Sequence, residues 1–187
     1  MELSDVTMSF KKQLILHREK VYRHFAQKEG AIQLPLRLDT SDRILICLPE
    51  ETQSVFAPGE IINEYKSYFT AFTLQFCAPL EIADEIPETI NCIYYDNKAF
   101  SLLRKFPEAL KKTLRATRYK IVIDTNRDFS LGAALVCRAT QAPIRIAFNK
   151  PNAAFFFNLI LSVQQNNNSY RESLIKFNRQ IQALIQT

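Results

Sequence analysis

The chain has 187 residues, of which 47% are hydrophobic and 23% are charged, and its formal net charge is +5. This length and composition predict one globular domain with a sizeable core, and they exclude a wholly disordered chain. The first residues are charged rather than apolar, and no apolar run reaches about 18 residues, so we expect a cytoplasmic protein without a membrane span.

The predicted elements begin with an amphipathic helix over residues 4–28, in which apolar side chains recur at helical spacing. An extended linker that contains Pro35 follows. Residues 43–148 then alternate between short apolar runs and amphipathic segments. Strands are predicted over 43–48, 72–77, 91–95, 119–124 and 144–148, and helices over 59–69, 98–118 and 130–139, with Pro107 at the start of a second helical segment within 98–118.

After the fifth strand, an apolar helix is predicted over 152–163 and an amphipathic helix over 170–185. Strands that alternate with helices imply right-handed β-α-β units. The predicted fold class is therefore α/β, a Rossmann-like three-layer sandwich. Its parallel sheet has five strands in the order 3-2-1-4-5, numbered along the chain, with extra helices from both termini. We expect one domain over 1–187, with an N-terminal helix and linker (1–41), a Rossmann-like core (42–150) and C-terminal helices (151–187).

Cysteine, glycine and lysine patterns argue against several kinds of site. The four cysteines are widely spaced in apolar runs, which predicts buried free thiols in a reducing compartment. Because the sequence contains no C-x-x-C pair, we expect no metal site. Only three glycines are present, without a G-x-G-x-x-G or a G-x-x-x-x-G-K-[ST] motif, so we expect no nucleotide cofactor. Basic residues cluster over 111–120 without a nucleic-acid motif, so we expect no specific nucleic-acid partner.

Ligands of doubly wound sheets bind beyond the carboxyl ends of the strands, which directs attention to the loops after the first, third and fourth strands, the second of which begins at Asp96. In the loop after the first strand, Glu50 or Glu51 could act as a general base, or both could only solvate the loop. In the loop after the fourth strand, five polar residues lie within seven positions and could bind a polar ligand. Alternatively, they could serve the turn and cap the next helix. These residues are Asp124, Asn126, Arg127, Asp128 and Ser130.

Two segments carry a resemblance to a known family. RILICLPEETQSVFAPGEIINEYKSYFTAFTLQF and YKIVIDTNRDFSLGAALVCRATQAPIRIAF are similar to the N-terminal, acceptor-side half of heptosyltransferase-like glycosyltransferases (glycosyltransferase family 9). The resemblance implies a Rossmann-like domain that holds a sugar acceptor, while a second domain holds the sugar nucleotide. The family's catalytic Gly-Asp pair aligns with Gln53 and Ser54 here, and the residues after the fifth strand are too few for a second sheet.

These departures favour a non-catalytic or degenerate heptosyltransferase-like domain that acts as a binding or interaction module. One alternative is the acceptor-binding half of a glycosyltransferase that needs a separate donor-domain subunit. A second is a flavodoxin-like ligand-binding domain or enzyme of unrelated chemistry. We assign no catalytic residue, and we expect a protein partner or homo-oligomer and a sugar or nucleotide-sugar ligand. The predicted ligand-binding residues are Glu51, Ser54, Asp124, Asn126 and Arg127, with Arg127 facing a negative group of the ligand.

Overall fold

A computed structural model describes residues 13, 16–17, 32–50, 57–97, 100, 106–163 and 169–186, and the structural statements below concern these residues. Most of the helix predicted over residues 4–28 lies outside them. Its described members, Gln13, Leu16 and His17, are helical, and Leu16 packs against the core.

The central feature of the described chain is a parallel sheet of six strands in the order β4-β3-β2-β5-β6-β7. Its strands are continuous apolar runs such as RILIC and IVID, as expected of strands that are buried on both faces. The strands are β1 (Leu36–Arg37), β2 (Arg43–Cys47), β3 (Thr73–Pro79), β4 (Cys92–Tyr95), β5 (Ile121–Asp124), β6 (Ile144–Phe148), β7 (Leu159–Leu161) and β8 (Ile185–Gln186).

The prediction of a five-stranded sheet in the order 3-2-1-4-5 is wrong in the number of strands, because the sheet has six, but the five predicted strands keep that relative order. The five predicted strands correspond to β2 to β6 and lie in the order β4-β3-β2-β5-β6, and β7 extends the sheet beside β6. The helix predicted over residues 152–163 is therefore also wrong. That segment contains only a short 3-10 helix, Ala153–Phe155, before β7.

The polar residue within this apolar run explains the error. The Asn158 side chain accepts a hydrogen bond from the Arg145 backbone N–H at 2.8 Å and donates one to the Pro143 carbonyl at 2.8 Å. These bonds hold the chain alongside β6, where its backbone groups complete the sheet. Periodicity alone does not separate a short buried strand from a buried helix, so tertiary pairing decides the outcome.

Besides the helical residues 13, 16 and 17, the described part of the chain contains the α-helices α1 (Pro58–Tyr68), α2 (Glu108–Ala116), α3 (Leu131–Ala139) and α4 (Tyr170–Leu184). Two of them begin at serine caps, since Ser130 Oγ accepts from the Ala133 N–H and Ser169 Oγ accepts from the Glu172 N–H. Pro107 is the N-cap of α2, in keeping with the predicted start of a helical segment there.

The sheet has a hydrophobic layer on each face, because successive side chains of a strand point to opposite sides. In β2, Ile44 and Ile46 belong to the cluster that α1 and α4 cover, whereas Leu45 and Cys47 belong to the cluster that α2 and α3 cover. The described core is thus a Rossmann-like arrangement of helices, sheet and helices. The prediction of buried free thiols is confirmed for Cys47, Cys77 and Cys137, and Cys92 is half-buried.

A second, two-stranded sheet was not predicted. β1 pairs in parallel with β8, so that Leu36 lies opposite Ile185 and the linker before β2 is joined to the end of α4. Strands of two residues carry no periodic pattern that a sequence could reveal. No helix in the described ranges is long and apolar enough to cross a bilayer.

Candidate functional site

The loops after β2 and β5 meet at the carboxyl edge of the sheet. The chain proceeds from β2 to β3 and β4 on one side and then crosses to β5 on the other, so the strand order reverses between β2 and β5. Such a reversal leaves a crevice between the two loops, where ligands of this fold class bind. The loops are joined here, because Thr125 donates from its backbone and its hydroxyl to the Cys47 carbonyl at 3.1 and 2.8 Å.

A buried ion pair lies beneath this crevice. Lys150 Nζ is 2.7 Å from Asp124 Oδ2, and the two side chains are 2% and 0% exposed. Nζ also donates to the backbone carbonyls of Asn126 at 2.5 Å and Asp128 at 3.3 Å, so all three ammonium hydrogens have acceptors. The loop that follows β5 is therefore wrapped around the ammonium group.

The remaining polar atoms of this cluster are also satisfied within the protein. Asp124 Oδ1 accepts from the Asn126 backbone N–H at 3.0 Å and from its side-chain amide at 2.6 Å. The Asn126 side-chain oxygen accepts from the Glu50 backbone N–H at 2.8 Å. Asp124 and Asn126 thus hold the two loops in register, in keeping with the alternative in the sequence analysis that these residues serve the turn.

The predicted ligand-binding residues fall into three groups. Glu51 and Ser54 lie outside the described residues. Asp124 and Asn126 are buried and bonded internally, although Asn126 also borders a pocket. Arg127 is half-buried at that pocket, and its guanidinium has no ion-pair or hydrogen-bond partner in the described ranges. Whether any of them binds a ligand stays a prediction.

The pocket above the ion pair has a volume of about 100 Å³. The loop after β5 contributes most of its wall, the loop after β2 contributes Glu50, and α4 contributes Tyr170. The Tyr170 hydroxyl donates to the Thr125 carbonyl at 2.8 Å, which fixes the start of α4 against the loop. The polar lining residues are Glu50, Asn126, Arg127, Asp128, Ser130 and Tyr170.

Glu50 is the half-buried one of the two carboxyl side chains that line the pocket, the other being the exposed Asp128. Glu50 accepts a hydrogen bond from Ser130 Oγ, and the Asn97 side chain also bonds to it. Burial raises the pKa of Glu50 above its usual range, and the Asp124 charge raises it further, while the bonds from Ser130 and Asn97 oppose the shift. A carboxyl group of this kind exchanges a proton closer to neutral pH than an exposed one does.

The approach of Glu50 to α3 requires glycine at position 132. A Cβ atom there would lie 2.1 Å from Asn97 Oδ1, 2.8 Å from Tyr95 Cε2 and 3.1 Å from Glu50 Oε1. Two of these distances are shorter than any ordinary carbon contact. Gly132 therefore leaves the space in which Glu50 and Asn97 meet the first turn of α3.

Lys150 and Gly132 were missed by the sequence analysis. The rule about strand carboxyl ends could have found Lys150, because it follows β6 by two residues and β6 lies next to β5. A single lysine after a strand is more typical of a solvated loop, and nothing in the local sequence indicates its burial. In the part of the chain that the structure describes, no cluster of three or more His, Cys, Asp or Glu could hold a metal ion.

The ion pair gives the first testable prediction. Lys150→Met leaves the Asp124 carboxylate buried without its partner, so we expect the free energy of unfolding to fall by about 3–5 kcal/mol. Lys111→Met is the matched control, because Lys111 pairs with Glu108 at 3.1 Å on the exposed side of α2, and its loss should cost less than about 1 kcal/mol. Urea denaturation measures both, and equal losses would contradict a special role for the buried pair.

A pair of glycine substitutions tests the packing at Glu50. Gly132→Ala forces its new methyl group against Asn97 and Tyr95 and should destabilise the fold by about 1–3 kcal/mol. Gly59→Ala in α1 meets only Pro87, at 3.9 Å, and should stabilise the helix by roughly 0.5–1 kcal/mol. Opposite shifts in thermal midpoint are expected, and a neutral Gly132→Ala would show that the described contacts are wrong.

The raised pKa of Glu50 makes a prediction about pH. Because the folded-state pKa lies above the unfolded one, the contribution of Glu50 to stability is fully present below the unfolded pKa and is lost as pH rises through the folded pKa. Glu50→Gln keeps a side-chain acceptor for Ser130 but carries no charge. We therefore expect the thermal midpoint of Glu50→Gln, minus that of the unsubstituted protein, to increase as pH is raised from about 4 to about 8.

Glu88→Gln, at an exposed position away from the pocket, controls for the loss of one surface carboxylate. If Glu50→Gln and Glu88→Gln follow the same course with pH, the environment described for Glu50 is not the cause.

Comparison with known proteins adds no family to this geometry. No family model matches the chain, and neither a curated protein nor a solved structure matches it. The resemblance to the heptosyltransferase-like glycosyltransferases accordingly stays a prediction from the two sequence segments quoted above.

Proposed function

We propose that the chain is a non-catalytic ligand-binding module on a Rossmann-like sheet, whose ligand is a small sugar-like molecule that carries hydroxyl groups and one negative group. The observation that carries the proposal is the pocket between the loops after β2 and β5, at the reversal of strand order, with Glu50 and Arg127 at its wall. The buried Asp124–Lys150 pair holds one of the two loops in place.

Of the three charged residues that line the pocket, Glu50, Arg127 and Asp128, the first two have complementary binding chemistry. Glu50 offers carboxyl oxygens to hydroxyl donors, and one of these oxygens already accepts from Ser130. Arg127 offers a planar fork of N–H donors that suits a carboxylate or a phosphate. A molecule with a hydroxyl at one end and an anionic group at the other would satisfy both. This supports a monosaccharide phosphate or sugar acid as the class of ligand.

The size of the pocket supports a small ligand. Its volume of about 100 Å³ is well below the roughly 300–1,000 Å³ of sites that enclose drug-sized molecules. A monosaccharide group is therefore a better match than a whole nucleotide sugar. The scarcity of glycine and the absence of a phosphate-cradling motif in the sequence support the same choice.

The heptosyltransferase-like resemblance is part of the proposal. A parallel Rossmann-like sheet and a pocket at its carboxyl edge are compatible with a degenerate acceptor-side half. The positions aligned with the family's catalytic pair, Gln53 and Ser54, lie outside the described residues. A second candidate, the acceptor-binding half of a glycosyltransferase that needs a separate donor subunit, is favoured by one observation, which is the raised pKa of Glu50 in the pocket.

Thermal-shift titration with four probes tests the proposed function: a neutral hexose, a hexose phosphate, a nucleoside diphosphate and a nucleotide sugar. We expect the hexose phosphate to stabilise the protein most, by about 2.7 kcal/mol at 100 times its dissociation constant. Arg127→Gln should weaken this binding at least tenfold, since a charge-assisted hydrogen bond contributes about 1.5–3 kcal/mol.

Arg179→Gln on the exposed side of α4 is the matched control and should bind like the unsubstituted protein. Absence of any shift, or unchanged affinity in Arg127→Gln, would overturn the proposed ligand class. Strongest stabilisation by the nucleotide sugar would favour the second candidate instead.

A further inference from the structure

Three cysteine thiols converge in the core directly behind the pocket. Cys47 ends β2, Cys77 is its register partner on β3, and Cys137 lies in α3. All three side chains are 0% exposed, and none is in a disulfide. Cys47 Sγ and Cys137 Sγ are 3.4 Å apart, and the Cys77 thiol also interacts with that of Cys47. Two thiols that are 90 positions apart in the sequence are thus in contact.

We propose that Cys47 and Cys137 are a redox modification site, at which a low-molecular-weight disulfide oxidises the two thiols to an intramolecular disulfide. The bond requires a sulfur separation of about 2.05 Å, so the two sulfur atoms must approach by roughly 1.4 Å in total. Rotation of the two side chains about χ1 can share this movement. The inference is independent of the identity of any ligand in the pocket.

The geometry favours Cys137 over Cys77 as the partner of Cys47. Cys47 and Cys77 lie side by side on neighbouring parallel strands, where backbones are about 4.8 Å apart and side chains stand roughly parallel. Their Cβ atoms are then held farther apart than the roughly 3.8 Å that is typical of a disulfide. Cys137 instead faces the sheet from the helix above it, so its sulfur points at that of Cys47.

The chemistry balances with oxidised glutathione as the oxidant. One cysteine thiolate attacks a sulfur of the oxidant and releases one molecule of reduced glutathione, which leaves a mixed disulfide. The second thiolate then attacks the protein sulfur of that mixed disulfide and releases the second molecule. Two thiols become one disulfide, their two protons pass to the released glutathione or to solvent, and the two electrons pass to the oxidant.

Burial determines when this reaction occurs. It raises the pKa of the Cys137 thiol well above its usual range, so little thiolate exists in the closed fold. Oxidant therefore reaches the pair when α3 separates from the sheet or before the core has closed. Once formed, the bond links the end of β2 to α3. The chain runs from β2 directly to Glu50, and α3 begins directly after Ser130, so the bond connects the two elements that carry these pocket residues.

Refolding of the full chain tests the proposal. The reduced, denatured protein is refolded in a buffer of reduced and oxidised glutathione, treated with N-ethylmaleimide and digested with trypsin without reduction. Trypsin places the four cysteines in three peptides: Cys47 is in 44–66, Cys77 and Cys92 are both in 67–98, and Cys137 is in 128–138. Mass spectrometry of the linked peptides therefore identifies the cysteines that are joined. We expect a linked 44–66 and 128–138 pair to predominate, with Cys77 and Cys92 carrying maleimide.

Substitutions sharpen the result. Cys77→Ala should leave the link between 44–66 and 128–138 intact, whereas Cys137→Ala should remove it without diverting Cys47 to Cys77. The oxidised protein should melt roughly 10 °C above its reduced form, because the bond closes a loop of about 90 residues in the unfolded chain. Predominance of a link to 67–98, or full maleimide labelling of both Cys47 and Cys137 in the refolded protein, would overturn the proposal. The Cys77→Ala arm decides the matter even if Cys137→Ala fails to fold.

Discussion

The ion pair between Asp124 and Lys150 is the interaction on which the carboxyl edge of this sheet depends. Removing an ammonium and a carboxylate from water is unfavourable by several kcal/mol for each ion, so such a pair persists only when every remaining donor and acceptor is satisfied. Here the ammonium has three acceptors, two of which are backbone carbonyls of the loop after β5. The requirement to solvate one buried charge thereby determines the course of that loop.

This constraint passes to the pocket through a short chain of hydrogen bonds. Asp124 orients the Asn126 side chain, Asn126 accepts from the backbone of Glu50, and the Glu50 carboxyl accepts from the cap of α3, Ser130. Each member is positioned by the one before it. Removing one member of such a network disturbs its neighbours, so the effects of single substitutions will not add. The strands β6, β5 and β2 are thus linked at one edge by side chains as well as by the sheet.

The parts of the fold that the sequence predicted are those in which local pattern and burial agree. β2 and β5 are buried on both faces and form unbroken apolar runs, and α4 has an apolar stripe at helical spacing. β7 was missed because its apolar run suits either a strand or a helix, and the pairing with β6 that decides between them is not local. β1 and β8 are too short to carry any pattern.

The site was predicted less completely than the fold, for a similar reason. The carboxyl-end rule located the loop that contains Asp124, Asn126 and Arg127, but it did not indicate which of these side chains face inward. That depends on Lys150, whose burial is favourable only because Asp124 lies 2.7 Å away. Gly132 was equally invisible, since its importance comes from the approach of Asn97 and Glu50 rather than from a turn of its own backbone.

Two carboxyl groups at the same edge of the sheet have different surroundings, and the difference bears on the proposed function. Asp124 is compensated by an ammonium group and two amide hydrogens. Among the described residues, Glu50 has hydrogen bonds from a hydroxyl and an amide to offset its burial and the nearby Asp124 charge. Its ionised form therefore lacks a cationic partner among the groups that bond to it. A ligand in the pocket that donates hydrogen bonds to Glu50 would stabilise the ionised carboxylate, and this stabilisation would contribute to the affinity for such a ligand.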